Sequence, residues 1–125
     1  MAKKVLIVDD VDKVRTLLKN IIKIKNYELA GEGINGEEAL SLYKELKPDL
    51  VLLDIVMPTV NGIEALKNII AFDPEAKVIM ITGEDDRETF RETLKAGALD
   101  HIVKPFDPAR VLYTLDQVFA QEEPS

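Results

Sequence analysis

Three runs of four consecutive apolar residues, at 5–8, 50–53 and 78–81, constrain this chain more than any other feature. Runs that are apolar throughout and rich in β-branched residues mark strands buried on both faces, which belong to parallel sheets covered by helices. Helical spacing fills the intervals. Val14, Leu17, Leu18, Ile21 and Ile22 make one stripe by their i, i+3, i+4, i+7, i+8 offsets. Residues 28–33 form a short, weaker strand. Asn35 is an N-cap with Glu38 as its reciprocal acid, and that helix runs to about Lys47, where Pro48 forbids continuation. Ile63, Leu66, Ile69 and Ile70 mark a third helix, closed by Asp73 and Pro74. A charged helix spans 86–96 and ends at Gly97; Ile102 and Val103 make a short fifth strand. Asp107 caps a last helix that begins at Pro108 and carries Val111, Leu112, Leu115, Val118 and Phe119. Five βα units predict a five-stranded, doubly wound parallel sheet with helices on both faces. Right-handed crossovers make 2-1-3-4-5 the natural strand order.

The sequence reads as one domain over residues 1–121, with 122–125 a frayed tail. Apolar residues make up 46%, which excludes a disordered chain. There is no cysteine, so disulfides and thiolate metal sites are excluded. A net charge of −7 argues against direct nucleic-acid binding. No apolar run reaches the ~18–20 residues that span a bilayer, and the N-terminal run is too short for a signal peptide. A cytoplasmic protein without membrane attachment is expected.

Ligands of parallel sheets bind beyond the carboxyl ends of the strands, at the switch in strand order. Asp9 and Asp10 follow the first strand, Asp54 the third, Thr82 the fourth and Lys104 the fifth. In the expected order the first and third strands are neighbours, so three carboxylates meet. Two like charges ~4 Å apart repel by ~4 kcal/mol at an effective dielectric of ~20. An all-oxygen site with few protein ligands suits Mg²⁺, which also shares a substrate phosphate. With Mg²⁺ and Lys104, three negative charges are balanced. Asp54 is then a nucleophile that forms an aspartyl phosphate. Asp10 and Asp54 ligate the metal, and Asp9 holds it directly or through water. Lys104 supplies a point charge, and Thr82 a hydroxyl for the phosphoryl oxygens.

The sequence around these residues (Val8-Asp9-Asp10, Leu53-Asp54 with Met57-Pro58 and Gly62, Ile81-Thr82, Val103-Lys104-Pro105-Phe106) resembles the signature of two-component response-regulator receiver domains. Each motif is weak alone; four in order over about residues 3–121 are specific. The resemblance implies the flavodoxin-like fold and phosphotransfer from the phosphohistidine of a sensor histidine kinase to Asp54. It implies a further Mg²⁺ ligand, the backbone carbonyl of Val56, and a frequently cis Lys104–Pro105 bond. It also implies docking of the kinase through Val11, Arg15 and Pro105, and an output face on the last strand and last two helices. A downstream effector protein or phosphotransferase reads that face, in chemotaxis or in a phosphorelay. A monomer or a weak phosphorylation-dependent dimer is expected. His101 stands where the family usually has an aromatic switch residue. It is read either as a partly exposed strand residue or as the switch itself, the latter sensitive to pH. Val56 and Glu84 are expected to slow loss of the phosphoryl group.

Three rivals remain. A DNA-binding response regulator would contain this chain as a fragment. A Mg²⁺-dependent phosphatase would need a second acid two residues beyond its nucleophile, where Val56 stands. A flavin- or nucleotide-binding module would use Gly31, Gly33 and Gly36, which match a dinucleotide fingerprint but follow the second strand rather than the central first one. The chain is therefore read as a phosphoacceptor, not as an enzyme with a separate turnover substrate.

Overall fold

The computed structural model describes residues 2–57, 60–83 and 87–120. Pro58, Glu84, Asp86 and residues 121–125, all named above, lie outside the described residues. Ten elements alternate: β1 (Lys4–Val8), α1 (Asp12–Ile24), β2 (Glu28–Gly33), α2 (Gly36–Leu46), β3 (Leu50–Asp54), α3 (Gly62–Phe72), β4 (Val78–Thr82), α4 (Arg87–Lys95), β5 (Asp100–Val103) and α5 (Pro108–Ala120). The strands form one parallel sheet in the order β2-β1-β3-β4-β5, as expected. Among the described residues, no helix is long and apolar enough to cross a membrane.

Successive side chains on a strand point to opposite faces. Val5, Ile7, Leu50, Leu52, Ile79 and Ile81 therefore face α1 and α5, while Leu6, Val8, Val51, Leu53, Val78 and Met80 face α2 and α3. All twelve are fully buried, which accounts for runs without polar alternation. The helix starts follow their capping residues. Asn35 Oδ1 accepts the Glu38 N–H at 2.9 Å, and Glu38 reaches back to the Ile34 N–H at 2.8 Å. Asn61 Oδ1 accepts the Glu64 N–H at 2.9 Å, and Asp107 Oδ1 the Arg110 N–H at 2.8 Å. Lys47 closes α2 in the left-handed region at φ 49°, and Gly97 follows α4 at φ 115°.

Two expectations change. In α1, Leu17 is 45% exposed, whereas Arg15 is buried with Leu18, Ile21 and Ile22. The inward stripe is rotated because the Arg15 guanidinium finds acceptors on that side: the Asp9 carbonyl at 2.7 Å, Glu32 at 3.1 Å and Asp12. Turned inward at 9% exposure, Arg15 offers a docking partner little surface, whereas Val11 and Pro105 are exposed. On the other side of the sheet, β5 begins at Asp100, and His101 is buried at 3% exposure rather than partly exposed.

The rotated stripe gives a direct check. Leu18→Ala should lower unfolding free energy by about 2–5 kcal/mol and Leu17→Ala by under about 1 kcal/mol, read by urea denaturation. Equal losses would restore the stripe read from spacing alone.

Candidate functional site

The parallel register carries the strand ends to a single rim. Leu53 sits beside Val8, Ile81 beside Asp54, and Val103 beside Thr82. The rim is tied by main-chain bonds just past the ladders: Asp9 N–H to the Gly33 carbonyl at 3.1 Å, Ile55 N–H to the Ile81 carbonyl at 3.0 Å, and Lys104 N–H to the Thr82 carbonyl at 2.7 Å. These bonds fix where the side chains of Asp9, Asp54 and Lys104 start.

Asp9, Asp10 and Asp54 converge there. One carboxylate oxygen of each lies within 4.8 Å of the other two. Asp9 and Asp54 are buried, at 0% and 3% exposure, while Asp10 is exposed. Lys104 Nζ lies between the buried pair, 3.2 Å from Asp9 Oδ2 and 3.6 Å from Asp54 Oδ1. The other Asp9 oxygen accepts the Val11 N–H at 2.8 Å. Among the described residues, Asp54 Oδ1 receives only a long 3.4 Å hydrogen bond from the Val56 N–H. Burial, then the charge of Asp9, push the Asp54 carboxyl up to about 6; Lys104 and the Val56 N–H pull the other way, and Asp10 adds to the rise. One lysine therefore does not offset the crowded negative charge.

This donor set fits a small hard cation. It is all oxygen and formally −3, and oxygens bound to one Mg²⁺ lie at most about 4.2 Å apart, a small inward adjustment from the observed cluster. Among the described residues, Asp9, Asp10 and Asp54 are the side chains available to hold such an ion. The Val56 side chain is 74% exposed and apolar, so it offers no acid or base above Asp54. Thr82 is half-buried at the end of β4 on the same rim. The Lys104–Pro105 peptide is cis, as expected.

Gly62 supports the site from behind. A Cβ there would lie 2.1 Å from the Asp54 carbonyl oxygen and 2.5 Å from Ile55 Cα, and the Gly62 N–H donates to the Ile55 carbonyl at 2.7 Å. Helix α3 can pass so close to the end of β3 only without a side chain. Gly31 and Gly33 lie in the edge strand β2 and Gly36 opens α2, on the far side of β1 from the switch between β1 and β3.

His101 is set apart from the carboxylates, under α4. Its ring stacks on Phe90 with centroids 3.9 Å apart, and Nε2 is 2.5 Å from Thr93 Oγ1. The Thr93 hydroxyl donates its only proton to the Phe90 carbonyl at 2.9 Å. Nε2 must then be the protonated nitrogen and donate to Thr93, which leaves Nδ1 as a buried acceptor without a partner among the described residues. Burial lowers the His101 pKa, opposed by the charge of Asp100. Phe90 and Thr93 went unnoticed in the sequence. They are three residues apart on a charged helix, which is the spacing of one helical face.

Residues 5–116 match the family model described as response regulator receiver domain. The chain is 52% identical to the chemotaxis protein CheY of Thermotoga maritima over 118 residues, covering 94% of this chain and 98% of that protein. It is 48% identical to the chemotaxis protein CheY of Listeria monocytogenes, covering 91% and 96%. A chain of the CheX–CheY–BeF3–Mg²⁺ complex of Borrelia burgdorferi superposes with a TM-score of 0.91 at 39% identity, covering 94% of this chain and 89% of that one.

Two outcomes follow from these electrostatics. Asp54→Asn removes one of three clustered charges, so the metal-free variant should melt several degrees above wild type at neutral pH, and millimolar Mg²⁺ should narrow the gap. A variant that melts lower would show that Lys104 already balances the site. For His101, a folded pKa below the unfolded ~6.5 means that the neutral ring is favoured in the fold. Its contribution is complete above about pH 6.5 and is lost as the pH falls below that. Wild type should thus lose more stability than His101→Phe between pH 7.5 and 5.5, measured by urea unfolding at both.

Proposed function

This chain belongs to the response regulator receiver domain family, and on that premise we propose that Asp54 accepts a phosphoryl group from a phosphohistidine of a sensor histidine kinase. The observation that carries this reading is Lys104 spanning two buried carboxylates, with a third beside them, at the rim where the family resemblance puts its chemistry. The family is one of phosphorylation-switched signalling domains homologous to CheY.

An Asp54 oxygen attacks phosphorus and the P–N bond to the donor imidazole breaks; its electron pair stays on nitrogen, and the imidazole, already protonated at its other ring nitrogen, leaves neutral. Asp9, Asp10, Asp54 and the Val56 carbonyl would hold Mg²⁺, which would supply charge neutralisation at the phosphoryl oxygens. Lys104 leaves its contact with the bare Asp54 carboxylate and pairs with the phosphoryl group. The Thr82 hydroxyl donates to another phosphoryl oxygen. Val56 offers an attacking water no hydrogen bond, so hydrolysis is slow and the domain stores the group rather than turning over a substrate.

Residues 1–121 form the domain, working in the cytoplasm. The kinase docks near Val11 and Pro105. Phosphorylation biases two states of the β4–α4–β5 region, with Thr82 and His101 as the reading residues. A downstream protein then binds α4, β5 and α5, where Phe90, Leu94, Val103 and Tyr113 are exposed. The CheX of the Borrelia complex is one kind of partner for such a domain.

Acetyl phosphate with Mg²⁺ should add one phosphoryl group by intact mass, absent without Mg²⁺ and absent in Asp54→Ala. The adduct should persist well beyond seconds. An adduct on Asp54→Ala would move the acceptor elsewhere, and rapid loss would remove the role given to Val56.

A further inference from the structure

Arg15 is the one arginine among the buried residues described, and no step above uses it. Its Nη1 donates to the main-chain carbonyl of Asp9 at 2.7 Å, within the interior. Its Nε donates to Glu32 on the edge strand at 3.1 Å, and Nη2 pairs with Asp12. Glu32 is itself held by Lys19 at 3.0 Å. The guanidinium is thus fixed from two elements before it reaches Asp9.

The carbonyl it grips belongs to the peptide that joins Asp9 to Asp10. A peptide is planar, so fixing its oxygen fixes the plane from which Asp10 departs. Asp9 is also oriented by Val11 and Lys104 at its two carboxylate oxygens. Asp10 has no hydrogen-bond partner among the described residues. The aim of its carboxylate depends on the backbone that carries it.

We infer that Arg15 is a positioning residue for the cation site: it locks the Asp9–Asp10 peptide so that both carboxylates face Asp54, and Glu32 anchors it. The inference rests on the proposed Mg²⁺ site. A planar fork meets three acceptors in fixed directions, and a lysine reaches one of them. Partners behind a metal's own ligands commonly set its affinity by tenfold or more.

The test is Mg²⁺ titration by calorimetry, alongside melting of the metal-free proteins. Arg15→Met should weaken Mg²⁺ binding on the order of tenfold. Arg15→Lys should recover part of that loss. Glu32→Gln, remote from the cation, should weaken binding in the same direction by less. With acetyl phosphate as donor, the loss should be larger in the Mg²⁺ concentration for half-maximal phosphorylation than in the rate at saturating Mg²⁺. If Arg15→Met fails to fold, the Lys and Gln variants carry the same comparison. Variants that melt lower but bind Mg²⁺ as wild type does would make Arg15 a purely structural residue and overturn the inference. Wild type that binds no Mg²⁺ would instead overturn the site itself.

Discussion

The repulsion among Asp9, Asp10 and Asp54 is the interaction on which this structure turns. Buried carboxylates are avoided unless something compensates for them, because neither burial nor a like charge favours the ionised form. Here the sheet imposes both. β1 and β3 are central, paired on both sides, and cannot drift apart to relieve the strain. The covering helices have little freedom either, since α3 touches the end of β3 at a glycine. A rigid frame therefore holds the carboxyl of Asp54 up to about 6 with one lysine in reach. Such a site answers strongly to any added cation or anion, which is what a charge-driven switch requires.

Much of this was legible in the sequence, for a physical reason. In a parallel sheet the residue after each apolar run must emerge on the same rim, so strand ends alone bring Asp9, Asp54, Thr82 and Lys104 together. Asn35 and Asp107 were legible because helix starts need side-chain acceptors, and the structure supplies those bonds. Arg15 and Leu17 were not. Periodicity ranks residues by hydropathy, and it sends an arginine outward without knowing that a buried carbonyl will take one of its donors while two carboxylates nearer the surface take the others. The Gly62 contact was equally hidden, because it depends on how closely one helix passes one strand end.

The burial of His101 was hidden for another reason. A histidine in a short strand says nothing of the helix that will cover it. The decisive facts lie on α4: Thr93 has already given its proton to Phe90, and the ring of Phe90 lies flat on the imidazole. Those contacts put the ring proton on Nε2 and leave Nδ1 without a partner among the described residues. The imidazole is therefore a neutral strut holding α4 by one hydrogen bond and one stacked ring, beside the exposed Phe90 and Leu94.

The two halves of the molecule are thus held in different ways. The acidic rim is rigid and electrostatically uncomfortable, whereas α4 is light in buried contacts, with Thr93 alone of its residues fully buried. Segments with few buried contacts move first when a nearby charge changes. A phosphoryl group on Asp54 would draw on Thr82 at the end of β4, whose neighbour in the sheet is Val103, two residues beyond His101. The path from the acidic rim to the exposed face of α4 is then short. It runs across one strand pair, from a frame that cannot yield to a helix that can.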